Sequence, residues 1–386
     1  MDKRLIKLIE KEGGIFQFNS FHHDSVKLFF DLVQDKFTFN QVFAKNLLKD
    51  NSAVPNVFFI NSMESVAYAD TFIGESGNRV DYIFIFAGLP FALLNIFLRI
   101  LSQPTSFVDI GDHSKELLDQ NDKFKIYDIL ENPNQITVFP RCKVREYYAI
   151  ELAKSTLDFI FCHELAHLFR GHCDYLKSNK RHMRLPHDTD VNHKLDDIIL
   201  LYQAIEFDAD LIGLKVHWNL ISSIGKNFSY FKKNNLGGDH YTALSNIYNH
   251  PSLSFRVLTI CSYTFFRVYA ENWRPELKLF DRGTKEHPDS IIRMIYILSD
   301  FFSTQNPVPF DDDVVVQWNK SSAFFKNYVI NILEAERNFA FIQGDEIDLR
   351  PLLYTIFEHQ NELDSYLNEL ILNRNKLIPE LTPFMR

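Results

Sequence analysis

A chain of 386 residues, 46% apolar and 24% charged with a mean hydropathy of −0.16, can bury a sizeable core and has the balance of a folded protein. Its net charge of −9, with no basic stripe interleaved with aromatics, excludes a general nucleic-acid binder. The four cysteines (142, 162, 173 and 261) form no CxxC pair, which excludes a disulfide framework. Together with a start, MDKRLIKLIEKEGG, that lacks a signal-type apolar core, they predict a cytoplasmic setting.

In chain order, residues 1–50 have apolar positions at helical spacing, as in SVKLFFDLVQDKF, and predict an amphipathic helical lead. Three strands follow: NVFFI (56–60), SVAYADTF (65–72) and DYIFIFAG (81–88), with ESGN as a turn between the last two. The apolar stretch 82–101 is interrupted by Gly88, Pro90, Asn95 and Arg99, so it reads as a buried strand, a turn and a helix rather than a membrane span. The stretch 254–273 carries Arg256, Arg267 and Glu271 and predicts a buried helix.

A long helix is predicted from about Arg145 to Leu176, with its only glycine at 171. The polar, Pro-containing 177–190 predicts a loop, and Val191 to Trp218 another helix. Further helices are expected at 241–248, 252–273, 288–303, 321–342 and 350–377. The sum is an α+β protein dominated by helices. QNPVPFDDD (305–313) predicts a boundary between a main domain, 1–304, and a C-terminal helical region, 305–386.

The chemistry centres on CHELAHLFRGH (162–172). On a helix, His163 and His167 project from one face and their imidazoles converge on one ion, while Glu164 is placed to take a proton from a water that the ion activates. The alternative is two surface histidines on an ordinary helix. Catalytic zinc usually takes three protein ligands. A metzincin would need Gly at 170 and His at 173, where this chain has Arg170 and Cys173. The next predicted helix offers IEFDAD instead, with Glu206 and Asp210 one turn apart amid apolar residues. Glu206 is the expected third ligand, and Asp210 the carboxylate that orients a ligand histidine. Cys162 points off the ligand face and reads as a small core residue. His172 is placed on a different face, bonding locally. His182, His187 and His193 are expected in or beside the exposed loop.

HELAH, then GH, then EFDAD is similar to the zinc-dependent gluzincin peptidases of the HtpX and CAAX-prenyl-protease kind, with HExxHxxxxH here running from His163 to His172. More narrowly the chain resembles phage-exclusion proteases of the Lit kind, over roughly residues 50–300. The resemblance implies a zincin-like fold and an intracellular, Zn²⁺-dependent endopeptidase acting on a protein substrate, cleaved as a defence against phage. It also implies a His-Pro run followed by Arg. Two runs fit, HPSLSFR (250–256) and HPDSIIR (287–293), of which His287 and Arg293 are preferred as helpers of oxyanion stabilisation. A Pro in the first helical turn behind a capping His explains either run equally. The strand near Ser65–Thr71 is expected to offer a sheet edge to an extended substrate. Two other readings stay open: a non-catalytic interaction protein that keeps a zinc site, and a membrane-associated peptidase using 82–101 and 254–273.

Overall fold

The computed structural model describes residues 1–18, 21–47, 54–117, 126–179, 195–228, 238–269, 293–294, 297 and 360–385. The expected boundary at 305–313, the helix 321–342, the helix 288–303 apart from residues 293–294 and 297, His287 and the three loop histidines lie outside these residues.

Helices α1 (Lys3–Lys11) and α2 (Asp24–Leu47) form the N-terminal lead. Asp2 caps α1 by accepting the Arg4 N–H at 2.8 Å. Strands β1 (Asn56–Ile60), β2 (Ala67–Ile73) and β3 (Arg79–Phe86) make one sheet in the order β1-β3-β2, with β1 parallel and β2 antiparallel to β3. β3 is central, and its last six residues are all buried, which suits a strand covered on both faces. Ile83 and Ile85 face the main core with Ala67 and Ala69 of β2, whereas Tyr82, Phe84 and Phe86 meet Leu5 and Ile9 of α1 on the other face.

β2 is thus an edge strand, as expected, but much of its outward backbone is engaged. The carbonyls of Ala69, Thr71 and Ile73 accept from Cys173, Lys177 and Arg4 respectively. The Thr71 N–H donates to Asp70 Oδ1 at 2.7 Å. The C-terminal half of β2 is therefore not an open ladder.

After β3 come α3 (Gly88–Leu101), short α4 (Ile126–Glu131) and the long α5 (Lys143–Phe169). α5 is buried on nearly every face, as a helix at the centre of a large core must be. Its start is fixed by Glu116, whose carboxylate accepts the N–H groups of Arg141 and Cys142 at 2.9 and 3.0 Å. Beside it, Arg145 is fully buried and donates to five carbonyls of the preceding loop: Leu101, Gln103, Ser106, Phe107 and Ile110, at 2.7–2.9 Å.

The expected single helix to Leu176 is in fact two. Gly171, at φ +78°, turns the chain between α5 and α6 (His172–Ser178). A Cβ there would stand 2.4 Å from Phe384 Cβ, so only glycine fits both the dihedral and the space. α7 (Leu195–Lys226), α8 (Gly238–Tyr248), α9 (Pro251–Tyr269) and α10 (Gln360–Leu381) complete the described helices. α5 packs against α3, α7, α8, α9 and β2, while α10 packs on α7 and α6. Leu370 of α10 belongs to the main core. Among the described residues, no helix is long and apolar enough to cross a membrane.

Candidate metal centre

Two adjacent helices build the centre. α5 presents His163 and His167, and α7 presents Glu206 and Asp210 one turn apart on the face that meets it. The closeness of the two helices comes from Gly213. A Cβ at that position would lie 2.9 Å from both Cα and N of His163, so α7 runs against the backbone of the residue that carries the first imidazole.

The donor atoms form a small triangle. His163 Nε2 lies 3.1 Å from His167 Nε2 and 3.4 Å from Glu206 Oε2, and His167 Nε2 lies 3.6 Å from Glu206 Oε1. Two donors each about 2.0–2.1 Å from one tetrahedral ion should be about 3.3–3.4 Å apart, which is the size of this triangle. His163 and His167 are 3% and 2% exposed and the Glu206 side chain is 13% exposed, so Glu206 is the open side of the group. Among the described residues this buried His-His-Glu group is the one able to hold a metal ion.

Behind the triangle, the second nitrogen of each ring lies beside another polar group. His163 Nδ1 is 2.9 Å from Asp210 Oδ1, and His167 Nδ1 is 3.1 Å from His172 Nδ1. With protons on those Nδ1 atoms, both Nε2 lone pairs and a carboxylate oxygen face one point. Three electron-pair donors in one buried place repel one another unless a proton or a cation sits among them. Asp210 is held in turn by Arg293, whose Nε and Nη2 donate at 2.8 and 2.7 Å, and whose guanidinium lies over the Phe266 ring at 4.3 Å. Arg293 Nη2 is also 3.8 Å from Glu206 Oε2.

Burial alone would depress the His163 imidazole, but Asp210 and Glu206 outweigh it and carry its pKa up to about 10. In the metal-free protein His163 is therefore cationic at neutral pH. Its folded pKa lies above the unfolded value near 6.5, so the stability it contributes is full below that value and is lost as pH rises through about 10. A bound cation must displace this proton. Binding at pH 8 is expected to release about one proton per ion, read by calorimetry in buffers of different ionisation enthalpy. An uptake enthalpy independent of buffer would show that His163 was not charged.

No protein-family model, curated protein or solved structure matches the chain.

The site's geometry brings together His163, His167, Glu206 and Asp210, which the spacing paired, and Arg293, which the resemblance implied as an oxyanion helper but which here meets Asp210; Glu164, next to His163 on α5, is 5% exposed. The alternative run is placed elsewhere. His250 caps α9 by accepting the Ser252 N–H at 3.2 Å, and Arg256 pairs with Asp109 at 2.5 Å. Cys162 is a core residue, as expected, and burial pushes the thiols of Cys173 and Cys261 up, the latter to about 12.

Three contributors escaped the spacing argument. His172 is not on an unrelated face: the break at Gly171 turns it back onto His167. Its Nε2 meets Asp208 Oδ2 at 3.2 Å. Asp208 also accepts from Arg170 Nε at 2.6 Å and from Arg374 Nε of α10 at 2.7 Å. Burial would raise the Asp208 carboxyl, but His172 and Arg170 hold it well below the usual carboxylate range. The third is Gly213. Its only signal was a small residue one turn beyond Asp210.

Proposed function

We propose that the chain is a zinc-dependent endopeptidase of the gluzincin type, with a zincin-like arrangement of sheet and helices and a cellular protein as its substrate. The observation that carries this reading is the donor triangle of His163, His167 and Glu206, with Glu164 buried next to His163 on the same helix. A two-imidazole, one-carboxylate donor set suits zinc, and bound zinc supplies Lewis-acid polarisation of a peptide carbonyl and makes water a nucleophile near neutral pH.

In this reading His163, His167 and Glu206 hold the ion, and Asp210 fixes the His163 ring. Glu164 takes the proton from the attacking water and delivers it to the leaving amine. Arg293 has two donors on Asp210, which supports a role in holding that carboxylate in place rather than a direct role at an oxyanion. His287 remains a candidate helper from the sequence alone. The implied target, a host protein cleaved during phage infection, belongs to the same proposal. A relic zinc site in an interaction protein is disfavoured because metal holding does not require Glu164.

The test is metal analysis together with a proteome-wide cleavage screen on wild type, Glu164→Gln and Glu206→Ala. Wild type and Glu164→Gln are expected to carry one zinc per chain, with cleavage lower in the variant by about 10²–10⁴-fold. Glu206→Ala should lose tight zinc. The enzyme reading fails if zinc-loaded wild type cleaves nothing, or if Glu164→Gln cleaves as fast as wild type. Stoichiometric iron in place of zinc would move the same donor set to oxidative chemistry.

A further inference from the structure

Behind His167 lies a run of buried polar groups that reaches from α5 through α6 and α7 to the C-terminal helix. We propose that His172 and Asp208, anchored by Arg170 and Arg374, form a positioning relay that fixes the tautomer and ring orientation of His167 at the metal centre. The proposal rests on the reading of His163, His167 and Glu206 as metal ligands.

Proton placement sets the roles of the two imidazoles. For His167 to present a lone pair at Nε2, its single proton must sit on Nδ1. The partner there is another imidazole nitrogen, His172 Nδ1, at 3.1 Å. Between two nitrogens only one proton can be shared, so His172 Nδ1 must accept and its own proton must lie on Nε2. That atom faces Asp208 Oδ2 at 3.2 Å, which is the acceptor the arrangement needs. With both imidazoles neutral, one assignment of protons satisfies both contacts. The reverse assignment would aim an N–H of His167 into the donor triangle and oppose the Nε2 lone pair of His172 to a carboxylate.

The anchoring is as specific. His172 and Asp208 are both 0% exposed, so neither contact is maintained by solvent. Asp208 must stay ionised and still to accept from His172, and two guanidinium groups hold it: Arg170 from the end of α5, at 2.6 and 3.3 Å, and Arg374 from α10, at 2.7 Å. Gly171 provides the turn that swings His172 back under His167. The C-terminal helix, which places no ligand in the triangle, thereby reaches the centre through Arg374. Carboxylate and carbonyl partners commonly orient metal-bound histidines; here a second histidine is interposed.

The test uses the full chain labelled with ¹⁵N-histidine, in wild type, His172→Leu, His172→Asn and Arg374→Met. Metal-free wild type should show His167 with its proton on Nδ1 and His172 with its proton on Nε2. His172→Leu should lose the His167 preference and bind Zn²⁺ about 10–100-fold more weakly in chelator competition, with an altered absorption spectrum when loaded with Co²⁺. His172→Asn, whose amide oxygen can accept from His167 Nδ1, should recover most of the loss and the wild-type cobalt spectrum. Arg374→Met should weaken Zn²⁺ binding by less than His172→Leu. The relay is overturned if metal-free His167 carries its proton on Nε2, or if His172→Leu keeps the wild-type affinity and spectrum. It is also overturned if leucine and asparagine behave alike, since a packing role would not separate them. Wild type that binds zinc and shows the expected tautomers yet cleaves nothing would sink the peptidase reading and leave the relay standing.

Discussion

Gly213→Ala is expected to weaken zinc binding by at least about tenfold in a chain that still folds. The added methyl would start 2.9 Å from two backbone atoms of His163, where carbon atoms need about 3.5–4.0 Å. Backbone cannot rotate aside as a flexible side chain can. α7 must therefore retreat from α5 by a large fraction of an ångström, taking Glu206 and Asp210 with it. The donor triangle, already at the size a tetrahedral ion spans, opens beyond bonding reach on the carboxylate side. Overpacking of this kind costs about 1–3 kcal/mol, which a chain of this size can absorb. Chelator competition measures the affinity, and thermal unfolding in the presence of EDTA separates it from stability. A Gly213→Ala protein with wild-type affinity would mean that this close approach does not set the site's dimensions.

Arg145→Met should be the most damaging single change in the described core. The side chain is fully buried, and its five donated bonds collect the carbonyls of one irregular loop, with Glu116 Oε1 3.5 Å from Nε. Methionine fills a similar volume but removes all five bonds, although the Gln103 and Phe107 carbonyls still accept from the N–H groups of Ser106 and Ile110. At roughly 1 kcal/mol or more for each, the loss is on the order of 4 kcal/mol or greater, a large share of an ordinary protein's stability. Arg145→Lys keeps the charge but has three donors on a flexible stem, and should recover only part of the loss. The measurement is the denaturant midpoint of each variant. A Met variant within 1 kcal/mol of wild type, by that order of reckoning, would show that the loop carbonyls find other partners.

What the sequence makes legible here is whatever repeats locally. Three strands at their expected places, the α5 histidines at four-residue spacing, and Glu206 with Asp210 one turn apart all follow from helix and strand periods. The choice between the two His-Pro runs turned on tertiary contact, and Arg293 rather than Arg256 meets the site. The roles of His172 and Asp208 were not legible, for one reason. On an unbroken helix His172 would sit about 140° around from His167, facing away from it, and Asp208 lies about 200° around from Glu206. Gly171, visible all along as the segment's only glycine, turns α6 and makes them meet. Arg145 was invisible for a different cause: nothing in a lone arginine announces that an irregular loop will wrap its guanidinium.

The edge of the small sheet has a colloidal consequence. A strand with free outward amides and carbonyls invites a neighbouring copy to add its own strand, and from there chains can stack without limit. Here Thr71 has its N–H taken by Asp70 and its carbonyl by Lys177, and the flanking carbonyls of Ala69 and Ile73 are occupied by Cys173 and Arg4. Lys177 belongs to α6, the helix that also carries His172. One short helix thus does two unrelated jobs, bracing an imidazole at its first residue and blunting a sticky edge five residues later. The blunting of this edge is tied to the same seven residues that set His172 against His167.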